Sequence, residues 1–164
     1  MIKLIVLDVD GCMTDGKIIF DANGIESKSF NVKDGLGITT WRKINGKVAI
    51  ITGRNSSIVE KRAQELGIDF LFQGIKNKKE TLEKIVAKLD IGMEEVAAIG
   101  DDLNDLSMLK TVGKSFTPAN GMEIIKRNVD VVLTKSGGEG AVREMIDIIV
   151  EKNGLSEEFY KVWL

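Results

Sequence analysis

With 164 residues, 43% of them hydrophobic and 29% charged, the chain is long enough for one domain with a full core and has the balance of a globular protein. A net charge of −2 with no basic run gives no footprint for nucleic acid, and no apolar stretch approaches the ~20 residues that a membrane span needs. The single cysteine, Cys12, excludes an intrachain disulfide and fits a cytoplasmic location, while the absence of histidine removes His-based phosphatases, His general bases and ordinary His-ligated zinc sites.

From the N-terminus, "KLIVLDV" (3–9) reads as a strand with an apolar centre, as expected when both faces are covered. It follows directly on Met1, so no signal segment is expected. The strand runs into acids: Asp8 and Asp10 at its end, and Asp15 five residues later. "GKIIFDANGIESKSF" (16–30) then has two β-like runs around Asn23 and Gly24, which predicts a hairpin with a type I′ turn. Further apolar strands are predicted at "KVAIIT" (47–52), "DFLFQ" (69–73), "EVAAIG" (95–100) and "DVVLT" (130–134).

Helix-period segments separate them. "NSSIVEKRAQELG" offers Asn55 as N-cap, an apolar face of Ile58, Val59, Ala63 and Leu66, and Gly67 as the stop. "NKKETLEKIVAKLDIG" carries the stripe Leu82, Ile85, Val86 and Leu89 and is expected to end at Gly92. "NDLSMLKTVG" and "EGAVREMIDIIVEKNG" read the same way. Strands alternating with helices predict an α/β fold with an open, doubly wound parallel sheet, in one domain spanning 1–164 without linker or repeat.

In such sheets ligands bind beyond the carboxyl ends of the strands. Polar residues gather there: Asp8 and Asp10 after the first strand, Thr52, Gly53 and Arg54 after the second, and Asp101, Asp102, Asn104 and Asp105 after the fourth. Lys78 stands at a helix start after the third. Residues i and i+2 of a strand share a side, so Asp8 and Asp10 can face one pocket. Two such acids repel, and a hard divalent cation such as Mg²⁺ relieves the repulsion with oxygen ligands. Taken singly, each group has a plainer reading as a solvated loop acid, a turn, a surface lysine or a helix cap. Their collection on strand ends of one sheet points to a shared site. Cys12 does not fit a cysteine phosphatase loop, which needs an arginine six residues on, where Ile18 stands.

"DVDGCMTDG", "ITGR", "QGIKNK" and "GDDLND" together resemble the four motifs of the haloacid dehalogenase superfamily of phosphohydrolases. The pattern DxDGxxTDG and the later "GGEGAVRE" resemble, more narrowly, the 3-deoxy-D-manno-octulosonate 8-phosphate phosphatase family, over nearly the whole chain. The resemblance implies a Rossmann-like, capless fold with a β-hairpin flap after the first strand and, counting the five strands by appearance, the order 5-4-1-2-3. It implies a Mg²⁺-dependent phosphatase of a sugar-acid phosphate, in a step of lipopolysaccharide sugar biosynthesis. Asp8 would be the nucleophile that becomes an aspartyl-phosphate, and Asp10 the acid and then the base. Asp8, the Asp10 carbonyl and Asp101 would hold Mg²⁺, and Thr52 and Lys78 would orient the phosphoryl oxygens. Asp10, the "NVKDG" stretch (Asn31, Val32, Lys33, Asp34 and Gly35), Arg54, Arg62, Lys78 and Asn104 would touch substrate. Arg54 and Arg62 lie eight residues apart and can share a helix face, which suits a doubly anionic ligand. Thr39 departs from relatives that carry arginine after the NVKDG-like stretch.

Two other functions compete. A phosphatase for a nine-carbon keto-acid phosphate would tend to show an acid after Thr-Gly, where this chain has Arg54. A non-catalytic regulatory module would resemble a receiver domain, whose phosphoacceptor acid ends the third strand; "FLFQG" has none there. A degenerate phosphatase-like module would be expected to have lost a motif residue. The intervals from Gly16 to Gly46 and from Gln73 to Lys78 leave no room for a cap. The hairpin's Ile18, Ile19, Phe20, Ile25 and Phe30 are too apolar for an isolated ribbon. The family implies that they pack in a homotetramer. The tail "LSEEFYKVWL", with Phe159, Tyr160, Val162, Trp163 and Leu164, either folds back on its own domain or reaches a neighbour's site.

Overall fold

Alternate residues of the first strand serve two different cores, and this organises the rest of the chain. The computed structural model describes Met1–Leu164. The first half contains β1 (Leu4–Leu7), a hairpin of β2 (Ile19–Phe20) and β3 (Glu26–Ser27), α1 (Val32–Lys43), β4 (Lys47–Ile51), α2 (Ser57–Leu66), β5 (Phe70–Phe72) and α3 (Lys78–Leu89). The second contains β6 (Val96–Ile99), α4 (Leu106–Leu109), β7 (Lys114–Thr117), α5 (Glu123–Lys126), β8 (Val131–Val132), α6 (Ala141–Lys152) and α7 (Ser156–Lys161). Six strands pair in parallel in the order β5-β4-β1-β6-β7-β8. Ile5 and Leu7 pack with α1, α2 and α6 on one face, while Leu4 and Val6 pack with α3 and α4 on the other. Residues of a strand alternate between faces, so an unbroken apolar run can supply both cores.

The sheet is the doubly wound one expected, with one addition. β7 was not predicted and lies between the fourth and fifth predicted strands. Three of the four residues of its sequence, "KSFT", are polar, and its Ser115 is buried because its N–H and Oγ both donate to Asp130. The other strands are trimmed at their ends: β8 keeps only Val131 and Val132 of 130–134.

Three helix and turn signals resolve differently from expectation. The side chain of Ser56, rather than Asn55, caps α2 by accepting from Ile58 N–H at 3.2 Å. α3 ends at Asp90, which takes the left-handed conformation (φ 53°), two residues before Gly92. In the hairpin Ile19 pairs with Ser27 and Phe20 with Glu26. A type I′ turn needs positive φ at both central residues. Of Asn23 and Gly24 only Gly24 has it (φ 76°). The Asp21 carboxylate accepts from the N–H groups of Asn23 and Ile25, both at 2.9 Å, and holds the wider turn.

The tail folds back. Phe159 is buried, Trp163 Nε1 donates to Thr40 Oγ1 at 3.0 Å, and Lys43 Nζ lies 4.3 Å from the Trp163 ring centre. No helix is long and apolar enough to cross a membrane.

Candidate active site

Sheet register builds the site. Leu7 of β1 is level with Ile50 of β4 and Ile99 of β6. The residues just past these strand ends, Asp8, Thr52 and Asp101, therefore meet at one edge. Asp8 N–H still donates to Ile99 O at 3.2 Å, which ties the acid to the sheet. The strand stops at Leu7, so Asp10 is not its i+2 residue as expected. Asp10 lies in a kinked turn, Val9–Met13, with Gly11 at φ 96°. The turn nevertheless aims Asp10 into the cleft with Asp8. That cleft, about 270 Å³, is lined by Asp8, Asp10, Gly16, Thr52, Gly53, Arg54, Asp101, Asp102 and Asn104.

Beneath it lies a buried ion cluster. Lys78 is the first residue of α3, whose N-cap Asn77 accepts from Glu80 N–H at 3.2 Å. The wholly buried Lys78 Nζ donates to Asp8 Oδ1 at 2.6 Å and to Asp105 Oδ1 at 2.5 Å. Asp105 Oδ2 accepts from the N–H groups of Asp101 (2.9 Å) and Asp102 (3.3 Å), so Asp105 fixes both the lysine and the loop that carries Asp101. Its place in "GDDLND" was visible in sequence; its bond to Lys78 was not.

Three carboxylates against one ammonium leave negative charge in excess. Burial pushes the Asp8 carboxyl well up, Asp105 adds to this, and Lys78 opposes it. Burial, then Asp105 and Asp102, push Asp101 up to about 6. Burial acts to neutralise Lys78, but Asp8 and Asp105 outweigh it and hold its ammonium charged. Carboxylate oxygens of Asp8 and Asp101 and the Cys12 sulfur lie within 4.8 Å of one another. A divalent cation fits this donor set, because it cancels the excess charge with hard oxygen ligands. Gly11 leaves the necessary room: a Cβ there would stand 2.0 Å from Asp101 Oδ2. Burial, followed by Asp8 and Asp101, raises the Cys12 thiol well above its ordinary value, which keeps it protonated and inert as a nucleophile.

Another part of the chain buttresses the acidic loop. Gly138 N–H donates to Cys12 O at 3.2 Å, and the backbone of Gly137 packs against Gly11 O and Thr14 O. This contact gives "GGEG" (137–140) a physical role that its sequence alone did not disclose.

The remaining predicted residues divide. Arg54 and Asn104 line the cleft. Arg62 lies in an adjoining groove with Lys28, Phe30, Val32, Ile58, Lys61 and Glu65, its guanidinium 5.5 Å from the Phe30 ring centre. Asn31 caps α1 by accepting from Lys33 N–H at 2.8 Å, and its amide donates to Gly138 O at 3.2 Å. Asp34 is buried and accepts from Arg143 N–H at 2.9 Å. Gly35 packs against Arg62 and Leu66. Val32 is exposed, and Lys33 lines a separate cavity of about 700 Å³ along α6 and α7. Thr39 faces a shallow pocket with Arg42 and Lys43, away from Asp8. Lys28 was missed altogether: its Nζ donates to Asp10 Oδ1 at 2.5 Å and to Glu26 Oε1 at 3.0 Å. Burial works against its charge, and the bonds to Asp10 and Glu26 prevail, raising it above the ordinary lysine value.

A doubly wound sheet with a lysine-bound aspartate, a second aspartate two residues on and an acidic loop at the end of the neighbouring strand defines a haloacid dehalogenase-like hydrolase. The model of that family matches residues 71–146. The chain is 40% identical to the 3-deoxy-D-manno-octulosonate 8-phosphate phosphatase KdsC of Haemophilus influenzae, over 96% of this chain and 88% of that one. It is 42% identical to the protein of the same name from Escherichia coli, over 96% and 84% respectively. Its fold is similar, at a TM-score of 0.94 and 40% identity, to the Moraxella catarrhalis 3-deoxy-D-manno-octulosonate 8-phosphate phosphatase solved with magnesium, phosphate and KDO, covering 99% of this chain and 94% of that one. The chain belongs to the 3-deoxy-D-manno-octulosonate 8-phosphate phosphatase family.

Proposed function

We propose that this protein is a Mg²⁺-dependent phosphomonoesterase that releases phosphate from 3-deoxy-D-manno-octulosonate 8-phosphate. The observation that carries the reading is the union, in one cleft, of Asp8 gripped by Lys78, Asp10 across from it, and Asp101. Asp8 attacks phosphorus and forms an O–P bond as the bond to the sugar oxygen breaks. Asp10 gives its proton to that leaving oxygen. Asp10 then takes a proton from water as the water attacks the aspartyl-phosphate, releasing phosphate and restoring Asp8. Thr52 and Lys78 hold the phosphoryl oxygens, so charge that develops in the transition state meets fixed donors. Asp8, the Asp10 carbonyl and Asp101 would hold Mg²⁺, which when bound adds Lewis-acid neutralisation of the phosphoryl group.

Arg54 and Asn104, at the mouth of the cleft, meet the sugar; the arginine favours the eight-carbon acid over the nine-carbon alternative. Arg62 reaches the same substrate from the adjoining groove. In the 31–35 segment, Asn31, Asp34 and Gly35 shape the helix start, Val32 lines the groove that holds Arg62, and Lys33 faces the separate cavity along α6 and α7. The chain acts as one domain, 1–164, in the cytoplasm, and as a homotetramer in which neighbouring subunits complete each capless site. The exposed Ile18, Ile19, Phe20 and Ile25 of the hairpin support that assembly.

A phosphate-release screen across sugar-acid, neutral sugar and aryl phosphates, with Mg²⁺ and with chelator, tests the reading. The sugar acid should be preferred, and Arg54→Ala should reduce its turnover much more than that of an aryl phosphate. Full activity in excess chelator, or equal losses on both substrates, would overturn the corresponding part.

A further inference from the structure

From the groove beside the catalytic cleft, the hairpin brings a side chain onto Asp10 that no part of the reaction described above uses. Lys28 follows β3, and its side chain is 1% exposed although the hairpin around it is largely open to solvent. Lysine is almost never buried unless paired. Here the pairing is double, with Asp10 Oδ1 at 2.5 Å and Glu26 Oε1 at 3.0 Å. Glu26 in turn receives Arg54 at 3.4 Å. A chain of contacts thus runs from Asp10 through Lys28 and Glu26 to Arg54. It joins the hairpin to two residues of the cleft.

We propose that Lys28 is a positioning residue for the protonation step: by gripping Oδ1 it fixes the Asp10 carboxyl so that Oδ2 faces the leaving oxygen. This rests on the reading of Asp10 as the general acid. Asp10 sits in a kinked turn, next to a glycine at φ 96°, so the backbone alone gives its side chain little restraint. Oδ1 accepts from Lys28, and no other side chain of the protein donates to this carboxyl, which leaves Oδ2 without a side-chain partner. As the P–O bond breaks, its electron pair goes to the sugar oxygen, which takes the Oδ2 proton while Asp8 forms its bond to phosphorus. Displacing an acid by an ångström is enough to cost about 10²-fold in rate. The hairpin then has a catalytic duty within its own subunit, separate from any role in assembly.

The leaving group supplies the test. kcat/KM reports only the steps up to departure of the alcohol, so the later hydrolysis of the aspartyl-phosphate does not enter it. A poor leaving group, ethyl phosphate, needs the acid, whereas p-nitrophenyl phosphate does not. Neither carries a carboxylate, so loss of a substrate-binding charge cannot imitate the effect. Lys28→Met should lower kcat/KM for ethyl phosphate by about tenfold or more, within the ~10²–10⁴-fold that general acid catalysis supplies, and for p-nitrophenyl phosphate by less than about threefold. Lys28→Gln, which keeps a donor, should recover part of the ethyl phosphate rate; it also replaces Lys28→Met should that variant not fold. Asp10→Asn must itself show the same discrimination between leaving groups. If it does and neither Lys28 variant does, the positioning role is wrong while the acid stands. If Asp10→Asn harms both substrates equally, the acid assignment fails and the proposal fails with it.

Discussion

Lys78 and its two carboxylates are the most constrained group in the protein. A lysine with no exposed surface is tolerable only because Asp8 and Asp105 both receive it. Removing one side of a buried ion pair leaves an uncompensated charge and costs about 3–5 kcal/mol. Lys78→Met should therefore abolish turnover and lower stability to denaturant by that order; a variant as stable as the wild type would show that the two acids do not need the lysine. Asp8→Asn should behave differently. Lys78 keeps Asp105, so the fold should survive while phosphate release disappears, and near-normal release would sink the nucleophile assignment. Asp34 adds a pH signature. Burial raises its carboxyl from 3.8 to about 6, against the opposing Arg143 N–H, Arg62 and Arg143 charges. Between those values the folded state binds the proton more tightly than the unfolded one, so this group's contribution to stability is full at about pH 4 and is lost as pH rises through 6. Asp34→Asn should consequently gain on the wild type at neutral pH, by on the order of 2 kcal/mol, with the gap closing near pH 4. Urea melts at the two pH values decide it; a gap independent of pH would refute the assignment.

Between elements, the decisive contact is loop on loop. A Cβ on Gly137 would stand 1.9 Å from Gly11 O and 2.8 Å from Thr14 O. Both are backbone atoms that cannot swing aside, so Gly137→Ala must push the turn that carries Asp10. A shift of about an ångström there should reduce kcat/KM roughly 10²-fold. Thermal melting should move much less than activity does; an active Gly137→Ala enzyme would remove the buttress from the account. The neighbouring α1 shows why such contacts escape a reading of the chain. Its "NVKDG" start resembles a ligand-binding stretch, yet Asn31 is occupied with Lys33 N–H and Gly138 O, and Asp34 with Arg143 N–H. Capping and packing use the same residue types as binding, and only the partners tell them apart.

At the level of the whole molecule, the short hairpin is an exposed apolar feature. Ile19, Phe20 and Ile25 are 47%, 57% and 64% exposed, and two-residue strands form no stable ribbon alone. Light scattering at micromolar concentration should give a tetramer, and Phe20→Asp should shift it to smaller species with lower activity. An active 18 kDa monomer would rule out the shared-site proposal. In the C-terminal tail, Trp163 is engaged with Thr40 and Lys43 of its own α1.

Local patterns carried most of the architecture. The apolar runs at β1, β4 and β6 and the helix stripes at α2, α3 and α6 are periodic over neighbouring residues, and strand ends in an α/β sheet are where ligands bind, so Asp8, Thr52 and Asp101 could be placed together before any coordinates. What the folded chain added is long-range. β7 has no apolar pattern and exists because Ser115 finds Asp130 on its neighbour. Lys28 reaches Asp10 from 18 residues away, Lys78 reaches Asp8 from 70, and Gly137 meets Gly11 across the site. Strand-end position had placed Lys78 in the same site as Asp8, but the Ser115–Asp130, Lys28–Asp10 and Gly137–Gly11 pairs have no signature in composition, spacing or periodicity. Each follows from which strand lies beside which and how the loops stack, and sheet register and close packing set both.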